Sequence, residues 1–127
     1  MTFERIFLGK SGEDAAVVFL ERRGYRILER NFRTRFGEID IIARHQKAIC
    51  FIEVKTRASQ EQGSPLEAVT PYKQRKLSRM AIFYLKSKNS LGVPARFDIV
   101  SVEDSSTGLP EIEVLQNAFD LVGDYNY

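Results

Sequence analysis

Asp40 and Glu53 are separated by twelve residues, and Lys55 follows Glu53 by two. Both carboxylates lie in runs rich in β-branched residues, Gly37–Arg44 and Ala48–Thr56, on either side of the polar break His45-Gln46-Lys47. That pattern reads as a β-hairpin. No Asn-Gly or Asp-Gly occupies the break, so the turn type is not specified. If the chain reverses at the Gln46–Lys47 peptide, Asp40 lies opposite Glu53 and Glu38 lies opposite Lys55. Side chains alternate along a strand, so all four share one face. Ile39, Ile41, Cys50, Ile52 and Val54 are then expected on the other face, as core.

Directly opposed residues of an antiparallel pair have Cβ atoms about 5 Å apart. Two carboxylates at that spacing repel by roughly 3 kcal/mol at an effective dielectric near 20. A divalent cation removes the conflict, and hard oxygen ligands suit Mg²⁺ or Mn²⁺, which keep several waters and take few protein carboxylates. Asp40 and Glu53 are the expected metal ligands, and Glu13, near the start of a helix, is a candidate third carboxylate. Lys55 would project beside the ion, placed to orient an attacking water or to stabilise charge on a phosphorane-like transition state. A metal that lowers the pKa of water and clamps phosphate oxygens completes the chemistry of phosphodiester hydrolysis. The ordinary alternative is two carboxylates on exposed strand faces, each beside a cation such as Lys55 or Arg57. A one-residue slip in register would separate the carboxylates altogether.

These residues need elements to hold them. Residues 12–23 read as a helix with Ser11 as N-cap, Glu13 and Asp14 in the first turn and Gly24 as the stop. Tyr25–Arg35 reads as a strand near a sheet edge, because Arg and Asn interrupt it. Residues 58–64 read as a polar loop, followed by a short helical piece after Pro65. A longer helix starts near Pro71 and carries Leu77, Met80, Ala81, Tyr84 and Leu85 as an apolar stripe. Arg96–Val102 and Glu111–Leu115 read as the last two strands. The order α-β-β-β-α-β-β predicts an α/β fold, a mixed central sheet with flanking helices, in a single domain spanning 1–127 with an acidic C-terminal region over 103–127.

Of the 127 residues, 43% are hydrophobic and 28% charged, a globular composition. No apolar run approaches the roughly 18 residues that span a bilayer, and residues 1–10 do not read as a signal peptide. Cys50 is the single cysteine and lies in an apolar run, so a buried, unpaired thiol in a reducing, cytoplasmic setting is expected. All 19 basic residues lie within 1–96, where there are 10 acids. Residues 97–127 hold seven acids and no Lys or Arg. A basic body suits a polyanionic partner. Lys73, Arg75, Lys76 and Arg79 lie close together on the longer helix, extended by Lys86 and Lys88. Such a stripe can contact phosphates without reading sequence, or can simply be the solvated face of the helix. Arg33, Arg35 and Arg57 flank the hairpin as further candidate phosphate contacts. His45 sits in the expected turn, away from the carboxylates. Asp98 is expected to pair with an arginine. Walker, dinucleotide-binding, zinc and Ser-His-Asp patterns are missing from the sequence.

The motifs Gly12-Glu13-Asp14-Ala15-Ala16, Gly24-Tyr25-Arg26-Ile27-Leu28, Asn31-Phe32-Arg33, Gly37–Ala43, Phe51–Arg57, Lys73 and Arg96-Phe97-Asp98 resemble, in order, the YraN-like bacterial family. That family is related to archaeal Holliday-junction resolvases within the restriction-endonuclease-like superfamily, whose D…ExK signature Asp40, Glu53 and Lys55 resemble. The resemblance covers about residues 9–102. It implies a restriction-endonuclease-like fold with Glu13, Asp40, Glu53 and Lys55 at the nuclease positions. It also implies metal binding by Asp40, Glu53, the Val54 carbonyl and Glu13, and Lys73 and Gln74 near the site. The expected activity is Mg²⁺- or Mn²⁺-dependent cleavage of DNA, including branched or structured DNA. A two-fold dimer is expected if both strands are cut symmetrically. Two other classes stay open: a non-catalytic nucleic-acid-binding protein with the same fold, and an interaction module using the acidic C-terminal region.

Overall fold

The computed structural model describes residues 10–57, 63–103 and 108–122. Residues 58–62, part of the expected polar loop, lie outside the described residues, as do Asp104 and Asp124. Helix α1 (Lys10–Arg22) leads into β1 (Tyr25–Thr34), β2 (Gly37–His45) and β3 (Ala48–Arg57). A single 3-10 turn (Leu66–Ala68) precedes α2 (Pro71–Ser87), followed by β4 (Ala95–Glu103) and β5 (Glu111–Phe119). The order matches the expected one, and the class is α/β with a mixed sheet.

The sheet runs β1-β2-β3-β4-β5. Its β1–β2, β2–β3 and β4–β5 pairs are antiparallel, and β3–β4 is parallel. The parallel pair needs a long crossover, and α2 supplies it. Strand β1 is an edge strand, as its mixed composition suggests. The acidic C-terminal region contributes the other edge, β5, with Glu111 and Glu113 exposed on it.

Among the described residues, each face of the sheet is covered by one helix. Ala16 and Leu20 of α1 pack with Ile41, Ala43, Cys50, Ile52, Val100 and Val102. Leu77, Met80, Ala81, Tyr84 and Leu85 of α2 pack with Ile42, Ile49, Phe51, Phe97 and Ile99. The alternation along β3 and β4 explains this: odd positions of the Ile49–Ile52 run face α2 and even ones α1. Burial on both faces is what a strand flanked by helices requires, and β3 reads accordingly as a near-continuous apolar run.

Local signals set the helix ends. Thr70 caps α2, its hydroxyl accepting the Lys73 N–H at 3.2 Å, with Pro71 in the first turn. Gly24 stops α1 at φ 89°, a conformation open to glycine at no steric cost. Ser11, expected as the cap of α1, lies inside it, because the helix starts at Lys10.

The expected face of Ile39 also fails. Ile39 joins the α2 cluster, apart from Ile41, Cys50 and Ile52. The alternation breaks at Asp40. The β1–β2 pairs run through Arg30↔Ile41 and resume at Phe32↔Ile39, so the position facing Asp40 is Asn31, which is left-handed at φ 54°. On its other side β2 has also lost its partner, since the β2–β3 ladder ends at Ile41↔Ile52. With neither neighbour holding it flat, the strand twists between residues 39 and 41.

Candidate functional site

The β2–β3 register is the one expected: Ile41 pairs with Ile52 and Ala43 with Cys50. One step further, Asp40 and Glu53 stand opposite each other where the ladder has ended and the strands part. At this fork the Val54 N–H donates to Asp40 Oδ2 at 2.8 Å, so a side-chain carboxylate takes a backbone donor that a continued ladder could have used.

A cleft of about 500 Å³ opens on the α2 side of the fork. Asp40 and Glu53 line it, facing Lys73, Lys76 and Tyr72 of α2. Gly37 forms part of its wall, and a Cβ there would lie 3.6 Å from the Lys76 ammonium. Lys73 reaches from the first turn of α2 to Glu53 Oε2, and Lys55 Nζ lies 3.3 Å from the same oxygen. Glu53 is buried, at 5% exposure, so two ammonium groups converge on one buried carboxylate. Burial works against the charge on Lys73, but the bond to Glu53 raises its pKa above the usual lysine value.

Among the described residues Asp40 forms no ion pair, although the Lys73 charge acts on it from Glu53's side. Burial, followed by the Glu53 charge, pushes its carboxyl up to about 7, against the opposing effect of the Val54 N–H. Glu13, on the first turn of α1, is near enough for its charge to add to that rise. Its own pKa is raised by burial first and by Glu38 next. Sequence reasoning gave no role to Asn31 and placed Glu38 only as the residue facing Lys55. With its amide turned to satisfy both neighbours, Asn31 donates to Glu13 Oε1 at 3.1 Å and to Glu38 Oε1 at 2.7 Å. Its cues in the sequence are an Asn within a strand beside arginines and its place in the Asn31-Phe32-Arg33 motif.

The remaining candidate residues separate. Gln74 donates to the Val69 carbonyl at 3.0 Å, bracing the start of α2. Lys76 lies over the Tyr72 ring at 5.4 Å. Arg33 is 82% exposed and donates to Glu38 Oε2 at 3.1 Å. Arg35 is exposed beside the Phe36 ring. Arg57 departs from expectation. It is buried, its guanidinium pairs with Glu103 Oε1 at 2.6 Å, and it also donates to the Gly63 carbonyl. A guanidinium so enclosed is not offered to a phosphate, so Arg57 leaves the set of surface contacts and joins the core. Its Nε is the one buried side-chain polar atom without a partner among the described residues.

His45 lies at the far end of the hairpin from Asp40. Its ring stacks on Tyr25 at 4.2 Å, and its Nδ1 is 2.7 Å from Arg96 Nη2. Asp98, 1% exposed, accepts from Arg96 Nε at 3.0 Å and from Tyr25 at 2.9 Å, the arginine pairing expected of it. Burial and the Asp98 charge push the Cys50 thiol up to about 12, so it is inert packing.

The donor set fits a hard divalent ion in kind: two apposed carboxylates, one of them poorly stabilised as an anion, with a third carboxylate nearby. Among the described residues, no group of three His, Cys, Asp or Glu is gathered to hold an ion unaided. A bound ion would therefore rely on Asp40, Glu53 and water, with Glu13 at a distance.

Fold and site together define a small α/β protein with an acidic–lysine cluster at a strand fork. The chain belongs to the Uncharacterised protein family UPF0102, whose model matches residues 12–102. It is 50% identical over 121 residues to the UPF0102 protein of Geobacter metallireducens, covering 95% of this chain and 98% of that one. It is 48% identical over 112 residues to the UPF0102 protein STH1475 of Symbiobacterium thermophilum, covering 88% and 95%. Among solved structures, the chain shows a loose likeness to Pyrococcus furiosus SfsA in complex with Ca²⁺. The TM-score is 0.37 at 17% identity, over 85% of this chain and 60% of that one, too low to carry an argument. Among the described residues no helix is long and apolar enough to cross a membrane.

Proposed function

We propose that the fork binds a divalent cation, Mg²⁺ or Mn²⁺, and that the protein hydrolyses phosphodiester bonds in DNA, with branched or structured DNA as the favoured class. The observation that carries this reading is the Asp40–Glu53 apposition in an open cleft, with Asp40 pushed up to about 7. A like-charge pair of a buried Glu53 and a half-buried Asp40 costs stability, and a cation turns that cost into affinity.

Asp40 and Glu53 would hold the ion, with the Val54 carbonyl and, directly or through water, Glu13. When bound, the ion supplies a Lewis acid for a phosphate oxygen and a more acidic water. Lys55 would orient the attacking water and stabilise the negative charge that builds on the non-bridging phosphate oxygens. The Val54 N–H fixes the Asp40 carboxylate in one orientation. Lys73 and Lys76 line the same cleft and suit the phosphates flanking the scissile bond. Arg33 and Arg35 extend this cationic surface along β1 and its turn. Symmetric cutting of a junction would call for a two-fold dimer.

A second reading has its own observation. Lys55 and Lys73 already neutralise Glu53, as they would in a nucleic-acid-binding protein that uses the fold without catalysis. Incubating supercoiled, single-stranded and four-way-junction DNA with Mg²⁺ or Mn²⁺ separates the two. Cleavage by the wild type that is lost in Asp40→Asn and Lys55→Ala supports the nuclease. Salt-sensitive binding without cleavage of any substrate supports the binder.

A further inference from the structure

We infer that Asn31 is a positioning residue of this site, its amide fixing the Glu13 carboxylate beside the fork; the inference rests on the cation-binding reading above.

Asn31 is unusual in its backbone. It lies inside a strand, yet takes φ 54°, a region that L-residues seldom enter and that Asn tolerates better than most. It interrupts the β1–β2 pairing at the position facing Asp40. A left-handed residue in a strand re-aims its side chain, and here the amide points between two carboxylates on different elements, Glu13 of α1 and Glu38 of β2.

The contacts form a chain. Arg33 Nε holds Glu38 Oε2 at 3.1 Å, and Asn31 links Glu38 Oε1 to Glu13 Oε1. The next residue of α1, Asp14, is tied to β1 by Arg30 at 2.6 Å. The first turn of α1 is therefore fastened to β1 at two adjacent residues. Glu13 otherwise faces repulsion from Glu38, Asp14 and Glu53, and a free carboxylate would turn away toward water. An amide has two N–H donors and carries no charge, so it can hold two like-charged groups together without competing for a cation as a lysine would. A left-handed residue with no such purpose would need only the backbone conformation, not an amide between two carboxylates.

Asn31→Gly separates these roles, because glycine accepts the left-handed conformation at no steric cost and removes only the amide. Mn²⁺ affinity is measured by calorimetry on the wild type, Asn31→Gly, Glu13→Ala and the double variant, with melting curves to confirm folding. The expected result is about a tenfold weaker affinity in Asn31→Gly, the usual scale for groups that orient metal ligands. Asn31→Gly should add nothing once Glu13 is already Ala. Losses that multiply in the double variant, or a folded Asn31→Gly that binds like the wild type, overturn the inference and leave the cation reading standing. A wild type that takes up no Mn²⁺ rejects the cation reading, and this inference with it.

Discussion

The Val54 N–H donates to Asp40 Oδ2 at 2.8 Å, one step past the last pair of the β2–β3 ladder. This contact orients Asp40 but does not neutralise it: burial and the Glu53 charge outweigh the Val54 N–H and Lys73, and Lys55 and Lys73 are bonded to Glu53. The resulting imbalance has a pH signature.

The Asp40 carboxyl rises from the ordinary 3.8 to about 7 on folding. The native state therefore holds a proton that the unfolded chain has already lost, and this group's contribution to stability falls as pH rises from about 4 to about 7, then levels off. Asp40→Asn keeps an acceptor for Val54 and removes the charge. Its stability advantage over wild type should grow across that window and reach several degrees in melting temperature at pH 8. Denaturation at a series of pH values checks this, and an advantage that shrinks with rising pH contradicts it.

Lys73 occupies Glu53 where a cation would bind. Lys73→Met should tighten Mn²⁺ binding several-fold while weakening affinity for a DNA duplex and making its salt dependence shallower by about one unit. Calorimetry and salt-dependent binding curves read the two effects separately. Weaker Mn²⁺ binding in Lys73→Met would make Lys73 a supporter of the ion instead of its competitor.

Lys55 should act on the reaction more than on the ion. Lys55→Ala is expected to lower the cleavage rate by about 10²–10³, the scale for losing one group that stabilises transition-state charge. Mn²⁺ affinity should not weaken, since Lys55 also lies on Glu53. Single-turnover kinetics with saturating cation measures this, and an unchanged rate removes Lys55 from the chemistry.

Arg57 and Glu103 should behave as core. Breaking a buried ion pair from one side costs about 3–5 kcal/mol, so Glu103→Gln and Arg57→Met should each lower stability on that scale. Affinity of the folded fraction for DNA should hardly move. Urea titration with parallel DNA binding tests this, and a stable Arg57→Met that loses DNA affinity would restore Arg57 to the phosphate-binding surface.

What the sequence made legible follows the range of the interactions. The hairpin register, and with it the Asp40–Glu53 apposition, could be read because two strands joined by a break as short as His45-Gln46-Lys47 have few ways to pair and an apolar pattern to satisfy. The element order and the apolar stripe of α2 were readable for the same local reasons. Lys73 on Glu53 and Arg57 on Glu103 were not, because they join elements whose relative placement depends on the whole sheet. Strict alternation through Asp40 predicts Ile39 on the α1 face; the structure places it with α2, because Asp40 has ladder partners on neither side and the strand twists there.

Mn²⁺ titration by calorimetry of the wild type beside Asp40→Asn and Glu53→Gln tests the central claim most directly. The account predicts saturable uptake by the wild type, with proton release that diminishes as the pH is raised above 7, and loss of uptake in both variants. No uptake by the wild type, or uptake unchanged in the folded variants, would contradict it.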